Sequence, residues 1–196
     1  MQKCPAAATP AAWIVIALWA PYVVLNTLFP GPLPTYGLGL LIALVALGLL
    51  WSAGVSPRAC FLAVAPPSRQ GLVLLALLSA FIPAVLLLGR GQPFNWLEDL
   101  VYTPASALGQ ELYFRSALLG ALGMAWRRGD VRIAPGGQAL AFALWHARAF
   151  RVAPLAPAVG VLVVTFVAGL LWGMEVRRDR TVLYAVLQHA LFLAIQ

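Results

Sequence analysis

The chain has 196 residues, of which 62% are hydrophobic and 10% charged. A soluble domain carries about 25% charged residues, so the deficit excludes an ordinary water-facing surface and leaves one that meets lipid. The net charge of +7 comes from 13 Lys and Arg against 6 Asp and Glu. In a soluble protein it would point to nucleic acid. Here the basic residues fall between apolar runs, so membrane topology explains them and no nucleic-acid partner is expected. These numbers predict one integral membrane domain over residues 1–196, all-α, a polytopic helical bundle of about seven transmembrane helices.

In chain order, apolar spans are expected over 11–29, 35–55, 71–89, 100–126, 136–150, 156–176 and 181–196. Lys3 precedes the first, which is long for a signal-peptide core and is followed by Pro30-Gly31-Pro32 rather than a small-x-small cleavage site; it reads as a retained helix. Turn chemistry separates most of the others, at Pro66-Pro67-Ser68, Gly89-Arg90-Gly91 and Pro135-Gly136-Gly137. The stretch 56–70 reads as a loop rather than an interfacial segment. The fifth and seventh spans are short for a crossing, which tilt or shielding by neighbouring helices accommodates.

If all seven cross, Lys3, Arg58, Arg69, Arg127, Arg128, Arg132, Arg177, Arg178 and Arg180 fall on one side, and Arg90, Arg148 and Arg151 on the other, with Glu98 and Asp99 beside Arg90. The positive-inside rule then places the N-terminus in the cytoplasm. In the sixth span Gly169 and Gly173 form a small-xxx-small pair, which lets two helix backbones approach closely in lipid. Cys4 and Cys60 have no nearby His and no CxxC spacing, and read as structural thiols.

Inside the apolar spans sit Glu111, Arg115, His146 and His189, the last two being the only histidines. Charge and imidazole are expensive in hydrocarbon, so these residues mark a candidate site. Glu111 and Arg115 are four apart on one helix face and can pair, which makes both tolerable. That pair could equally be a structural salt bridge, and a single buried His is more often a satisfied core residue. At about 1.5 Å per residue, Glu111 lies roughly 20 Å from the cytoplasmic edge of its span, and His146 and His189 about 13–17 Å from theirs. All three therefore share a depth near the midplane or slightly outward. A carboxylate can activate water, and an imidazole can orient that water or donate to an oxyanion, which together suit peptide hydrolysis. Ser106 and Ser116 flank the Glu, but no Asp accompanies either His, so a serine nucleophile is disfavoured.

Taken together, Gln110-Glu111-x-x-x-Arg115, Phe142-x-x-x-His146 and Gly169-x-x-x-Gly173 leading to Gln188-His189 resemble the CPBP family. These are the CAAX-prenyl-protease and bacteriocin-processing (ABI) intramembrane enzymes. The resemblance covers about residues 98–196 and implies a glutamic-type, metal-independent endopeptidase with no cofactor. It also implies that the Glu activates water, that the His residues assist, and that Arg115, Gln110 and Phe142 support them. The partner is then a membrane-anchored protein or peptide substrate, and the setting a bacterial inner membrane. Small size and an outward site resemble the myxosortase-like members, which process C-terminal sorting tails.

Two positions depart from the family pattern of Glu-Glu-x-x-x-Arg, Phe-x-x-x-His and His-x-x-x-Asn. Its first Glu, usually assigned as the base, is Gln110 here, and its Asn is Leu193, with Gln196 a substitute further round the helix. Either Glu111 takes the base role, or Gln110 is an inactivating replacement, or the chain is a non-catalytic scaffold or immunity protein. A further alternative is a metal-binding membrane protein with Glu111, His146 and His189 as zinc ligands. Oligomeric state is not read from the sequence.

Overall fold

A computed structural model describes residues 8–29, 37–88, 95–126 and 133–194. Cys4, Lys3, Pro30-Gly31-Pro32, Gly89-Arg90-Gly91, Arg127, Arg128, Arg132 and Gln196 lie outside these residues. The described residues are helical almost throughout, with a single isolated β-bridge between Leu62 and Thr181. The all-α expectation holds.

Each of the seven expected spans corresponds to helix. The first is α1 (Ala8–Ala17) and α2 (Trp19–Leu28), which meet at Leu18. Next come α3 (Gly39–Ser52) and α4 (Arg69–Leu88). The fourth span runs through a π-helical turn (Glu98–Tyr102), α5 (Thr103–Glu111), a second π-helical stretch (Leu112–Leu118) and α6 (Leu119–Ala125). The fifth comprises α7 (Ile133–Trp145), a 3-10 turn (His146–Arg148) and α8 (Ala149–Val152). Then follow α9 (Leu155–Asp179) and α10 (Leu183–Ala194). Two helices are long and apolar enough to cross a membrane, Thr9–Leu28 and Leu155–Asp179; Gly39–Ser52 and Leu183–Leu193 are apolar but shorter.

One expected turn is not a turn. Pro135-Gly136-Gly137 lies inside the first turns of α7, which begins at Ile133. Proline is tolerated there because the first four helical N–H groups have no intrahelical acceptor to lose. The stretch 56–68 is a loop holding one 3-10 turn, Pro57–Cys60, capped by the Ser56 side chain. Phe61 follows with φ 58°, and Val182 N–H donates to its carbonyl.

Close crossings hold the bundle, and glycine makes two of them. On α9, a Cβ at Gly169 would lie 3.2 Å from Ala139 Cα, and one at Gly173 2.5 Å from Gln138 Oε1, so the small-xxx-small pair is the face that receives α7. On α5, a Cβ at Gly109 would lie 2.7 Å from the Leu40 backbone nitrogen, so α5 rests backbone to backbone on the start of α3. The side chains left outside are apolar: Leu155, Val163, Val164, Val167 and Leu171 along α9, and Leu41, Leu44 and Val45 along α3. Such a surface suits hydrocarbon, where helix contact is driven by packing and small residues rather than by water.

Contacts between helix ends sort into two groups that match the expected alternation. At one end Trp13 packs on Trp126, Ser116 Oγ donates to the Cys60 carbonyl, and the Ser68 backbone N–H donates to Asp179. At the other, Arg151 donates to the Thr27 carbonyl at 2.5 Å and Asn26 to the Trp145 carbonyl at 3.1 Å.

Candidate active site

Glu111 is the last residue of α5, and Arg115 lies in the π-helical stretch that follows. In that stretch the Leu119 N–H reaches back to the Phe114 carbonyl, five residues away. Such wide turns recur at functional sites because they re-aim side chains within a continuous helix. Neither Glu111 nor Arg115 has any exposed side-chain surface, and Arg115 NH1 is 3.1 Å from Glu111 Oε1. The i,i+4 pair expected from the sequence is present. It is a charge contact rather than a hydrogen bond, since no Arg115 nitrogen has a hydrogen-bond partner among the described residues. The guanidinium lies on aromatic faces instead, 3.8 Å from the Phe142 ring centroid and 5.3 Å from that of Trp172. A π face attracts a cation most strongly where water is excluded.

His189 comes from α10 and is 2.7 Å from Glu111 through Nδ1 and Oε1. A carboxylate only accepts, so Nδ1 carries the proton and Nε2 is left as the basic nitrogen. Glu111 Oε1 thus serves both Arg115 and His189, while Oε2 is buried with no hydrogen-bond partner. Two of the three residues expected to share a site are in direct contact.

His146 does not touch Glu111 in the same way. It begins the 3-10 turn after α7, and its Nδ1 is 3.0 Å from the carbonyl of Phe142, one helical turn back. That bond also leaves Nε2 unprotonated in the neutral ring. Both histidines pack against Phe142, with ring centroids 4.8 Å away for His146 and 5.9 Å for His189. Phe142 is therefore the common wall of the site, backed by Phe114 at 5.2 Å. Among the described residues no three His, Cys, Asp or Glu side chains are grouped to hold a metal ion.

Gln110 is buried; its Nε2 donates to Ser106 Oγ at 2.8 Å, and its Oε1 has no hydrogen-bond partner. Ser116 is turned away from the site and donates to the Cys60 carbonyl. Leu193, at the family's Asn position, is an ordinary residue of α10.

Sequence reasoning missed a second polar group beside His189. Trp172 stacks on the His189 ring at 4.8 Å and 28°, and its Nε1 donates to Gln188 Oε1 at 2.9 Å. Gln188 Nε2 in turn donates to Glu175 Oε1 at 3.0 Å. Glu175 stands four residues before the Asp that ends α9, where a charge reads as belonging to the membrane boundary. The available signal was Gln188, an amide inside an apolar helix.

A family model described as Type II CAAX prenyl endopeptidase Rce1-like matches residues 70–195, which contain every residue of this site. No curated protein and no solved structure matches the chain.

Proposed function

This chain belongs to the Rce1-like family of type II CAAX prenyl endopeptidases, and we propose that it is a glutamic-type, metal-independent member in which Glu111 activates water and His189 and His146 assist. Membership makes it a protease-family protein of the membrane, with a protein substrate. The finer reading is supported by one observation above all. Glu111 presents one carboxylate oxygen to Arg115 and His189 and keeps the other, Oε2, buried and without a hydrogen-bond partner.

In this reading Oε2 takes a proton from a water molecule, and the hydroxide attacks the scissile carbonyl carbon. The carbonyl π electrons move to oxygen, and the carbon–nitrogen bond then breaks as Glu111 returns the proton to the leaving amine. His189 and Arg115 hold Oε1, so the carboxylate cannot rotate out of line. His146 works through Nε2, accepting a proton or hydrogen-bonding as charge develops on the carbonyl oxygen. Arg115 and the π faces around it stabilise the carboxylate's negative charge in an apolar surround.

The domain is residues 1–196, in a bacterial inner membrane with the N-terminus in the cytoplasm. In that topology Asn26 and Thr27, which contact Trp145 and Arg151, lie at the outer end, and so does the start of α3 under Gly109. Glu111 and His146 then belong to the outer half of the bundle. This favours a substrate cut in or near a membrane-anchored C-terminal segment, as in the myxosortase-like members, and a role in protein sorting or maturation. A second reading is favoured by Gln110, which stands where the family has its first Glu: a non-catalytic scaffold that retains the fold and binds its partner.

A cleavage assay in membranes on co-expressed anchored substrates separates these readings. The chain is run beside Gln110→Glu, Glu111→Ala and His146→Ala. Cleavage by the unaltered chain that is lost in Glu111→Ala supports Glu111 as the base. Cleavage by Gln110→Glu alone moves the base to position 110, and partner binding without cleavage by any variant favours the scaffold.

A further inference from the structure

We propose that Trp172, Gln188 and Glu175 are positioning residues that fix the plane of the His189 ring, and with it the Glu111–His189 hydrogen bond. The inference rests on the assignment of Glu111 and His189 above. An imidazole held by a single hydrogen bond at Nδ1 can still rotate about that bond. Rotation would swing Nε2 through space while leaving the 2.7 Å contact to Glu111 intact. The stacked indole of Trp172 removes this freedom, because its plane lies within 28° of the imidazole plane at 4.8 Å.

The indole is itself fixed. Its N–H can only donate, and it donates to Gln188 Oε1 at 2.9 Å. The Gln188 amide has one orientation that satisfies both neighbours: oxygen to the indole, nitrogen to the Glu175 carboxylate, which can only accept. A flipped amide would set nitrogen against nitrogen and oxygen against oxygen. Glu175 thereby sets the sense of Gln188, Gln188 sets Trp172, and Trp172 sets His189.

Burial argues that the arrangement is held for a purpose other than stability. Trp172, Gln188, Glu175 and His189 are all buried, and Glu175 has its nearest cation, Arg178, at 3.9 Å. A carboxylate withdrawn from water with so distant a partner destabilises relative to an apolar residue of the same volume. Gly71 on α4 makes room for it, since a Cβ there would lie 2.7 Å from Glu175 Oε1. The same Trp172 ring faces Arg115 at 5.3 Å, so one indole braces both groups that hold Glu111 Oε1.

The test uses full-length protein labelled with 15N-histidine in detergent micelles. The chain has two histidines, and His146→Gln assigns which signal is which. In the parent, the His189 Nδ1 proton shared with a carboxylate gives a far-downfield resonance. Trp172→Phe keeps a ring but loses the indole donor, and Gln188→Leu removes the amide. Each is expected to shift or broaden that resonance while the His146 signal stays in place. Glu175→Gln retains an acceptor oxygen for Gln188 and is expected to preserve the resonance; Glu175→Leu is expected to lose it.

On a cleaved substrate, Trp172→Phe and Gln188→Leu should lower kcat by up to about 100-fold with KM unchanged, the effect of a misplaced group rather than of lost binding. The double variant should be no slower than the worse single. Retention of the downfield resonance in both single variants overturns the proposal, and so does displacement of both histidine signals together, which would mean general loosening. The resonance is read without any substrate, so a chain that cleaves nothing leaves this test intact.

Discussion

Removing the charge of Arg115 while leaving Glu111 in place is the most revealing perturbation of the core of this bundle. At 3.1 Å, and with an effective dielectric of about 20, the attraction between the two charges is about 5 kcal/mol. Arg115→Met keeps much of the side-chain volume but strands a fully buried carboxylate with only the His189 hydrogen bond. Loss of one partner from a buried pair destabilises by about 3–5 kcal/mol. For a chain of this length that lowers the unfolding temperature by roughly 6–20 °C. Adding Glu111→Gln to Arg115→Met removes the stranded charge, and the double variant is expected to recover part of the loss. Thermal unfolding in detergent, followed by fluorescence of the seven tryptophans, reads both. An unfolding temperature for Arg115→Met within about 2 °C of the parent would refute the reasoning. A double variant no more stable than Arg115→Met would do the same.

Gly109→Ala places a Cβ 2.7 Å from backbone that cannot yield easily, and is expected to destabilise by about 1–3 kcal/mol. Gly123→Ala has nothing within 4 Å of its new atom and should be neutral or stabilise by about 0.5–1 kcal/mol; similar unfolding temperatures for the two would count against the close crossing of α5 on α3. Ser116→Ala strips the Cys60 carbonyl of its side-chain donor, and a loss of about 1–3 kcal/mol is expected in the same assay. Glu111→Gln should abolish cleavage while leaving the protein folded, because a carboxamide cannot take the proton from water; surviving activity would move the base elsewhere.

The sequence made some of this architecture legible because hydrocarbon imposes strong rules. The helical spans follow from apolar runs that must satisfy their own backbone hydrogen bonds. The Glu111–Arg115 pair follows from spacing along one helix face, and the meeting of Glu111 with His189 is compatible with simple rise-per-residue arithmetic. The approach of α9 to α7 is written in Gly169 and Gly173. What was not legible depends on contacts between helices. Nothing at Leu18 announces that α1 and α2 meet there, since Pro21 comes three residues later. Pro135-Gly136-Gly137 looks like a turn by composition, yet a helix start accepts the same residues. Trp172, Gln188 and Glu175 lie on two helices, and only the packing of α9 on α10 brings the tryptophan over His189. The placement of His146 beside its own Phe142 carbonyl, rather than on Glu111, is equally a matter of local geometry.

The π-helical stretch from Leu112 to Leu118 also sets a reading frame for the helix that carries the site. One residue advances an α-helix by about 100°, so a single-residue deletion that restored α geometry there would rotate α6 by that angle relative to α5. Leu119 and Leu122, now buried, would leave the core, and the exposed Gly123 would move toward it. Insertions and deletions between Glu111 and Leu119 therefore act on the whole second half of the span, as frameshifts do on a message, and not on the residue they touch.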